Sequence, residues 1–304
     1  MNKKIIILSG GFSEEKEVSK VTAGEIEKAL RSKGYETYLI DPSEYSSWSL
    51  FVSEIMKIDA RIVFNGLHGA EGENGALQAL FDLHGIKYTG SGCRASALAM
   101  DKIISAKLAE SLGIMVPEKI VVRNRKKPDL RQVHEKIGYP CIVKPNDSGS
   151  SVGISFVPEE KDLKNAVKEA FNYSNLVLCE QFIPGRELTV TILGQKALPV
   201  VEIIPRKGWY DYNNKYTSGN TVYKIPAPLP SEETEIIQNS ASRIFELFGC
   251  KAYARVDFRF DGDNFYFLEL NTLPGMTPLS LTPMAAKAAG LDFAELLEKI
   301  IFFS

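Results

Sequence analysis

The chain has 304 residues, which is enough to bury a large core and to form two or three domains. Its composition is that of a globular protein, with 44% hydrophobic residues, 24% charged residues and a formal net charge of −2. This balance argues against partners such as nucleic acid or an anionic membrane, because proteins that bind them normally carry a basic surplus.

Cysteine usage and the N-terminus indicate the compartment. The four cysteines are widely scattered, without a C-x-x-C pair, so we expect buried thiols in a reducing compartment and no metal bound through sulfur. The start, "MNKKIIILSGG", has only four consecutive apolar residues, too few for a signal peptide or a membrane span. The sequence therefore predicts a soluble, cytoplasmic protein.

The first ninety residues or so alternate between strand and helix patterns. The predicted elements, in order, are the strand "KIIILSGG", the helix "EVSKVTAGEIEKALRSKG", the strands "YETYLI" and "ARIVFNGLHG", and the helix "GALQALFDLHG". This alternation predicts a parallel sheet with helices on its faces, and ligands bind such sheets at the carboxyl ends of the strands. Those ends carry "SGGFSEE" and "NGLHGAEGENG". We predict an N-terminal α/β substrate-binding domain over residues 1–95.

The middle of the chain predicts a smaller domain, residues 96–184, over a mostly antiparallel sheet. One helix, "ASALAMDKIISAKLAESLG", precedes strand "KIVV", helix "LRQVHEKIG", strands "PCIVKP" and "GISFV", a helix near 159–172 and strand "NLVLCEQF". The stretch "IVKPNDSGSSVGIS" is typical of a hairpin connection or of a phosphate cradle. It is not a Walker loop, because Lys144 precedes the glycines.

The remaining residues, 185–304, predict a C-terminal domain of antiparallel strands. A long aromatic stretch, "RKGWYDYNNKYTSGNTVYKIPAPLP", is too irregular for a plain connection and favours a functional lid. The helix "SEETEIIQNSASRIFELFG" leads to strands "AYARVDFRF" and "FYFLELN", and helices near 283–302 close the fold.

Acidic residues lie inside the last strand pair. If the hairpin loop has odd length, or if a bulge shifts one strand, Asp257 and Glu269 face each other, and Asn271 shares the face of Glu269. Two carboxylates and an amide oxygen form a site suited to Mg²⁺. The alternative is an exposed hairpin face, where acids are common.

Further candidates lie near this hairpin. Arg255 shares a face with Asp257 and is either its salt-bridge partner or, next to a metal, a group that stabilises an oxyanion. The backbone N–H of Gly275 could join it. Ser280, taken alone, is typical of a helix N-cap.

Other charged candidates are spread along the chain. Lys102 falls within a predicted helix, where a lysine usually lies on a solvated face, whereas Lys144 and Glu180 end apolar strands and need partners. Glu15 either complements the dipole of the first helix or receives a substrate ammonium group. His68 either is a loop donor, for which contact with phosphate or carboxylate is the sharper hypothesis, or has no role in the site.

Together these stretches resemble the D-alanine–D-alanine ligases of the ATP-grasp family. The matching motifs are "GGFSEEKEVS", "LHGAEGENG", "YTGSGCRASALAMDK", "IVKPNDSGSSVG", "KYTSGNTVY", "RVDF" and "LELNTLPGMTPLSL", and they run in family order from residue 9 to 287. The resemblance implies an α/β ATP-grasp fold, in which an N-terminal, Rossmann-like parallel-sheet domain is followed by two antiparallel-sheet domains that clasp ATP.

The resemblance also implies a reaction. The carboxylate of one D-alanine attacks the γ-phosphate of ATP to form an acyl phosphate, and the amine of a second D-alanine displaces phosphate through a tetrahedral intermediate. The implied cofactors are ATP and Mg²⁺, with Mn²⁺ as a substitute. The implied setting is peptidoglycan precursor synthesis by a homodimer.

Roles for individual residues follow from the same resemblance. Glu15 would bind the ammonium group of the first D-alanine, helped by a network of Ser150, Tyr216 and Glu187. His68 and Lys215 would contact the transferring phosphate. Arg255 and Gly275 would form the oxyanion site, and Ser280 and Leu281 would bind the carboxylate of the second D-alanine. The residues implied to bind the nucleotide are Lys102, Lys144, Ser151, Glu180, Phe182, Ile183 and Glu187. The residues implied to bind the metal are Asp257, Glu269 and Asn271.

Departures and alternatives remain. Gln181 stands where a lysine is frequent in the family, and the hairpin between Asp257 and Glu269 is about one residue short. The pair Lys215–Tyr216 matches ligases that join two D-alanines, although an acceptor such as D-serine or D-lactate is the alternative. A dinucleotide oxidoreductase is disfavoured because "GGFSEE" lacks G-x-G-x-x-G. The metal triad and the Lys215 lid argue against a non-catalytic nucleotide sensor.

Overall fold

The computed structural model describes residues 3–123, 125–149, 152–206 and 221–304. Four of the candidates, Ser150, Ser151, Lys215 and Tyr216, therefore lie outside the described residues, as does most of the predicted lid. The described strands form three sheets, each built from a consecutive stretch of the chain.

The first sheet is parallel, as the alternating pattern predicts. Its strands, in the order β2-β1-β3, are β1 Lys4–Leu8, β2 Glu36–Ile40 and β3 Ile62–Phe64. The helices of this region are α1 Lys16–Ser32, α2 Trp48–Ile58, α3 Ala70–Glu73 and α4 Ala76–His84. Helix α2 is absent from the prediction, although Ser47 caps it by accepting the backbone N–H of Leu50.

One predicted helix is two helices in the structure, α5 Cys93–Met100 and α6 Lys102–Ser111. The break lies at Asp101, whose backbone is extended and whose carboxylate accepts the backbone N–H groups of Ile103 and Ile104. An acidic N-cap satisfies donors that a new helix leaves without partners, so it begins a helix inside an otherwise helical pattern. The interpretation of Lys102 as a residue within one continuous helix was therefore wrong.

The second sheet is antiparallel, with the order β4-β7-β5-β6. Its strands are β4 Lys119–Val122, β5 Cys141–Pro145, β6 Ser155–Val157 and β7 Val177–Gln181, and helix α7 Glu160–Ala170 packs against β5 and β6. The pairing of β5 with β6 confirms a hairpin around the Ser/Gly-rich turn. The helix predicted for "LRQVHEKIG" is instead a short π-helix, Val133–Ile137.

The third sheet is also antiparallel, with the order β11-β10-β8-β12-β13 and β9 beside β8. Its strands are β8 Arg186–Leu193, β9 Lys196–Ala197, β10 Val201–Pro205, β11 Thr221–Lys224, β12 Tyr253–Phe260 and β13 Phe265–Asn271. Three helices among the described residues accompany it, α8 Ser231–Phe248, α9 Leu281–Ala288 and α10 Phe293–Phe303.

The two ends of the chain share one hydrophobic core. Ile5 of β1 and Ile26 of α1 belong to the same buried cluster as Leu297 and Ile300 of α10. The loop before α9 also lies beside the loop after β3, since a Cβ on Gly275 would lie 3.8 Å from Cε1 of His68. The division at residues 1–95, 96–184 and 185–304 stays a prediction, and this core crosses from the first range to the third.

Two expectations from composition can be compared with the structure. In the described residues, no helix is both long and apolar enough to cross a membrane. All four cysteines are free, but only Cys141, Cys179 and Cys250 are buried, whereas Cys93 is partly exposed. The expectation that all four thiols are buried was therefore wrong for Cys93.

Candidate active site

A cavity of about 670 Å³ lies where the first and third sheets meet. Its wall contains the predicted site residues His68, Lys102, Arg255, Glu269, Asn271, Gly275, Ser280 and Leu281. These residues come from the loop after β3, the start of α6, the β12–β13 pair and the loop leading into α9. The fold thus gathers candidates from distant parts of the sequence around one space large enough for a small ligand.

Asp257 and Glu269 are direct partners across the β12–β13 pair, as the bulge hypothesis requires. The register shifts between Asp257 and Phe258, so Phe258 pairs with Phe267 whereas Asp257 pairs with Glu269. Asn271 pairs with Arg255 two residues further on, which keeps both carboxylates and the amide on one face. This face borders the cavity, so the alternative of a plain exposed hairpin face does not hold.

Arg255 is the salt-bridge partner of Asp257. Its Nε and Nη2 donate to Oδ1 and Oδ2 of Asp257 at 2.8 and 2.7 Å, and the hydroxyl of Thr189 donates to Oδ1 at 2.5 Å. Asp257 is buried, and the fork fixes the guanidinium at the cavity wall. The two interpretations of Arg255 are therefore compatible, because the carboxylate that binds it also positions it.

The acids and amide of this hairpin are the described groups that could hold a divalent cation. No cluster of three or more His, Cys, Asp or Glu side chains with ligand geometry occurs among the described residues. The available donors are the oxygens of Asp257, Glu269 and Asn271, a hard set that suits Mg²⁺ rather than a thiolate- or imidazole-binding metal.

Lys102 is buried rather than solvated. It is the first residue of α6, and its Nζ donates to the backbone oxygen of Ser148 at 2.6 Å and lies 3.9 Å from Oε2 of Glu269. Burial lowers the pKa of Lys102, and the carboxylate of Glu269 opposes that shift. The lysine thus links the Ser/Gly-rich hairpin turn to the acidic face of β13.

Lys144 and Glu180 satisfy each other at the ends of their strands. Nζ of Lys144 lies 2.6 Å from Oε2 of Glu180, and both side chains are buried. Lys119 lies 3.9 Å from the other carboxylate oxygen. The prediction that each charge needs a partner is confirmed, since a buried charge is tolerated only when it is paired.

Several predicted nucleotide residues are not on the cavity wall. Within the described part of the chain, Lys144 and Glu180 lie in the second sheet, while Phe182, Ile183 and Glu187 follow the segment from the end of β7 into β8. The structure therefore places one group of candidates around the cavity, the Lys144–Glu180 pair in the second sheet, and a further group along the connection between the second and third sheets.

The loop after β3 is held by several contacts. Nε2 of His68 lies 2.9 Å from the hydroxyl of Thr22, and the hydroxyl of Ser13 donates to the backbone oxygen of His68. Burial lowers the pKa of His68, while the negative charge of Glu15 raises it. Glu15 is itself buried and stands at the N-cap of α1 without a side-chain capping bond, so its position fits both of its interpretations.

Glu73 is a cavity residue that sequence reasoning missed. Its Oε1 accepts the backbone N–H of Gly69 at 2.8 Å, and a Cβ on Gly149 of the hairpin turn would lie 3.2 Å from its Oε2. Burial raises the pKa of Glu73 to about 7. The signal was an acid within "GAEGENG", but only the fold shows that this acid is enclosed.

Gly275 and Ser280 lie beside His68. A Cβ on Gly275 would lie 3.0 Å from Oγ of Ser280 and 3.8 Å from Cε1 of His68, so the absence of a side chain keeps this space open. Ser280 stands at the N-cap of α9 without a capping bond from its hydroxyl. That hydroxyl instead accepts the backbone N–H of Thr277 at 3.1 Å. Its position fits the N-cap prediction, but its bonding does not.

Comparisons with known proteins indicate one family. The family model described as D-ala D-ala ligase C-terminus matches residues 108–302. A D-alanine–D-alanine ligase of Syntrophotalea carbinolica is 44% identical, over 98% of this chain and 95% of its own. The crystal structure of a Bacillus anthracis D-alanine–D-alanine ligase complexed with ATP is 30% identical, with a TM-score of 0.84 over 99% of this chain and 96% of that one.

A second solved structure has a different acceptor in its name. The VanG D-Ala:D-Ser ligase of Enterococcus faecalis is 31% identical, with a TM-score of 0.83, and the match covers 99% of each chain. Fold, cavity and neighbours together define an ATP-dependent ligase of the ATP-grasp class. More narrowly, the chain belongs to the D-alanine–D-alanine ligase family.

Proposed function

We propose that the protein joins two molecules of D-alanine into D-alanyl-D-alanine and converts ATP to ADP and phosphate. The observation that carries this proposal is the convergence of His68, Arg255, Gly275 and Ser280 on one cavity beside the buried amine of Lys102. An acyl phosphate forms when the first carboxylate attacks the γ-phosphate. The second amine then displaces phosphate through a tetrahedral oxyanion.

The amino-acid substrates are bound through their charged groups. Glu15 holds the ammonium group of the first D-alanine, and its burial strengthens that attraction by excluding water. Ser280 and the backbone of Leu281 bind the carboxylate of the second D-alanine at the start of α9, where helix N–H groups favour anions. Ser150, Tyr216 and Glu187 complete the proposed network, although the first two lie outside the described residues.

The oxyanion and the phosphates meet fixed positive groups. Arg255, positioned by Asp257, and the backbone N–H of Gly275 stabilise the charge that develops on the attacked carbonyl oxygen. Lys102 and Lys144 offset the phosphate charge, and His68 contacts the transferring group together with Lys215 of the lid. Such preorganised donors act strongly because they need no reorientation during the reaction.

The nucleotide and its cation complete the site. Glu180, Phe182, Ile183 and Glu187, with Ser151 of the hairpin turn, are proposed to bind ATP. Asp257, Glu269 and Asn271 would hold Mg²⁺, for which Mn²⁺ can substitute, and the cation would offset charge on the transferring phosphoryl oxygens. The all-oxygen donor set on adjacent, rigid strands supports this assignment.

The choice of acceptor is the test of this function, since one structural neighbour is named a D-Ala:D-Ser ligase. Phosphate release and product mass are measured with D-alanine alone and with D-alanine plus D-serine or D-lactate. We expect the D-alanine dipeptide as the main product in every mixture. A mixed product in excess would replace this proposal with a ligase of different acceptor.

The cellular role follows from the product. D-alanyl-D-alanine is a peptidoglycan precursor, so we place the enzyme in the cytoplasm, in cell wall synthesis and in the maintenance of cell shape. A homodimer is also proposed, and sedimentation equilibrium would show twice the mass of the 33.7 kDa chain.

A further inference from the structure

Two of the three guanidinium nitrogens of Arg259, in β12, bond to one short segment. This segment is the linker, residues 182–185, which connects β7 to β8. Nε donates to the backbone oxygen of Ile183 at 3.1 Å and Nη2 to that of Gly185 at 2.9 Å. The guanidinium carbon lies 5.7 Å from the centre of the Phe182 ring, and Nη1 lies 3.5 Å from Oε2 of Glu187.

The linker joins two different sheets. Strand β7 belongs to the second sheet and β8 to the third, so the conformation of the linker determines how the chain passes from one to the other. It runs directly against β12, because Gly185 has a φ of +101° and a Cβ there would lie 2.2 Å from the backbone oxygen of Phe260. Only glycine fits this approach.

Both sheets hold the Phe182 ring. Phe156 of β6 approaches it edge-on, with centroids 5.1 Å apart and an interplanar angle of 76°. Arg259 approaches it from the third sheet. An edge-to-face aromatic pair and a cation near a ring are both favourable, so the ring orientation depends on groups from each side.

The cation beside Phe182 comes from β12 and not from the linker itself. Position 181, the end of β7, is the neutral and exposed Gln181. The planar fork of arginine can bond two carbonyl groups at once, which a lysine amine on a flexible stem does less rigidly. Burial of Arg259 lowers its pKa, and Glu187 opposes that shift, as expected for a paired internal cation.

We propose that Arg259 is a positioning residue for the nucleotide: by fixing the Phe182 ring and the backbone at Ile183, it preorganises the linker to bind the base of ATP. This inference rests on the proposed placement of ATP along Phe182, Ile183 and Glu187. Preorganisation improves affinity because the linker loses less conformational freedom when the ligand binds.

The test compares Arg259→Met with wild type in KM for ATP, KM for D-alanine, kcat and melting temperature. We expect KM for ATP to rise on the order of tenfold, with kcat and KM for D-alanine within about twofold of wild type. Arg259→Lys keeps the charge near the ring but loses the fork, so it restores part of the affinity. An unchanged KM for ATP in Arg259→Met would overturn the inference.

Arg186→Met is the matched control. Arg186 begins β8, and its Nε and Nη2 donate to the carboxylate of Glu202 at 2.8 and 3.0 Å. Loss of that pair changes stability without changing KM for ATP. An equal increase of the KM for ATP in Arg186→Met and Arg259→Met would show that Arg259 only stabilises the sheet in general. That result would contradict the proposal. If Arg259→Met fails to fold, Arg259→Lys provides the test instead. A wild-type KM for ATP in Arg259→Lys would then overturn the proposal.

Phe182→Ala separates this inference from the proposed function. A higher KM for ATP in Phe182→Ala but not in Arg259→Met would refute the role of Arg259 and leave the nucleotide placement intact. Wild-type KM values for ATP in both variants would refute the placement itself, and the inference with it, while D-alanine ligation could still be measured.

Discussion

Asp257 and Glu269 face each other because a β-bulge skips Leu268 between them. The hairpin pairs Phe258 with Phe267, and in an uninterrupted register Asp257 would next meet Leu268. A shift of one residue moves side chains to the opposite face of a sheet, so without the bulge Glu269 would point away from Asp257. The proposed cation site therefore depends on one extra residue in β13.

Glu269→Gln tests this cation site. Loss of one negative charge weakens a hard-oxygen site, so we expect the Mg²⁺ concentration for half-maximal activity to rise on the order of tenfold. Activity is titrated with Mg²⁺ at saturating ATP. Asp263→Asn, an exposed acid in the turn of the same hairpin, should titrate as wild type. Identical titrations for Glu269→Gln and wild type would remove Glu269 from the site.

Gly275→Ala tests the space between His68 and Ser280. The added Cβ would lie 3.0 Å from Oγ of Ser280 and displace that hydroxyl. We expect a higher KM for D-alanine in steady-state assays, with KM for ATP unchanged. Gly24→Ala is the control, because a Cβ at this exposed position in α1 meets no atom within 4 Å. That variant should gain about 0.5–1 kcal/mol of stability and keep both KM values.

Asp101→Ala tests whether the helix break positions Lys102. Loss of the N-cap should lower the free energy of unfolding by about 1 kcal/mol, measured in urea. It should also raise KM for ATP, because Lys102 starts the helix that the cap begins. Asp101→Ser retains a capping oxygen and should restore both properties. Lower stability with an unaltered KM would show that Lys102 keeps its position without the cap.

Glu73→Gln tests the enclosed carboxyl through the pH dependence of stability. The pKa of Glu73 is raised from 4.5 to about 7 by burial, so the unfolded chain ionises this group first. Its contribution to stability is full below about pH 4.5 and is lost as the pH rises to about 7. Relative to the neutral variant, the wild type should lose about 3 kcal/mol over that window.

Urea unfolding at several pH values in metal-free buffer measures this loss. Glu71→Gln removes a partly exposed acid from the same short helix and should follow the wild-type curve. Parallel pH profiles for wild type and Glu73→Gln would show that Glu73 ionises normally in the folded protein.

Much of the fold follows from local patterns in the sequence. The alternation in the first ninety residues gave the parallel sheet, and the Ser/Gly-rich turn gave the hairpin after Lys144. Two caps were missed: Ser47 starts α2, for which no helix was predicted, and Asp101 divides one predicted helix into two. A capping residue affects only the first turn of a helix, so a prediction based on hydrophobic periodicity over a longer window does not detect it.

The site was partly predictable for a different reason. The acids of the last hairpin could be identified because they interrupt apolar strands. The loop residues were identified from their resemblance to the family motifs. Glu73 and Arg259 were missed because their significance lies in what encloses them. Enclosure by residues distant in sequence, such as Gly149 near Glu73 and Phe182 near Arg259, has no local signature.

The most direct measurement follows the carboxylate oxygen of D-alanine labelled with ¹⁸O. The protein is incubated with the labelled amino acid, ATP and Mg²⁺, and the products are analysed by mass spectrometry. We predict D-alanyl-D-alanine, one ADP for each dipeptide, and phosphate that carries one ¹⁸O atom, because the attacking oxygen leaves with the phosphate. Absence of the dipeptide, or dipeptide accompanied by unlabelled phosphate, would contradict the account.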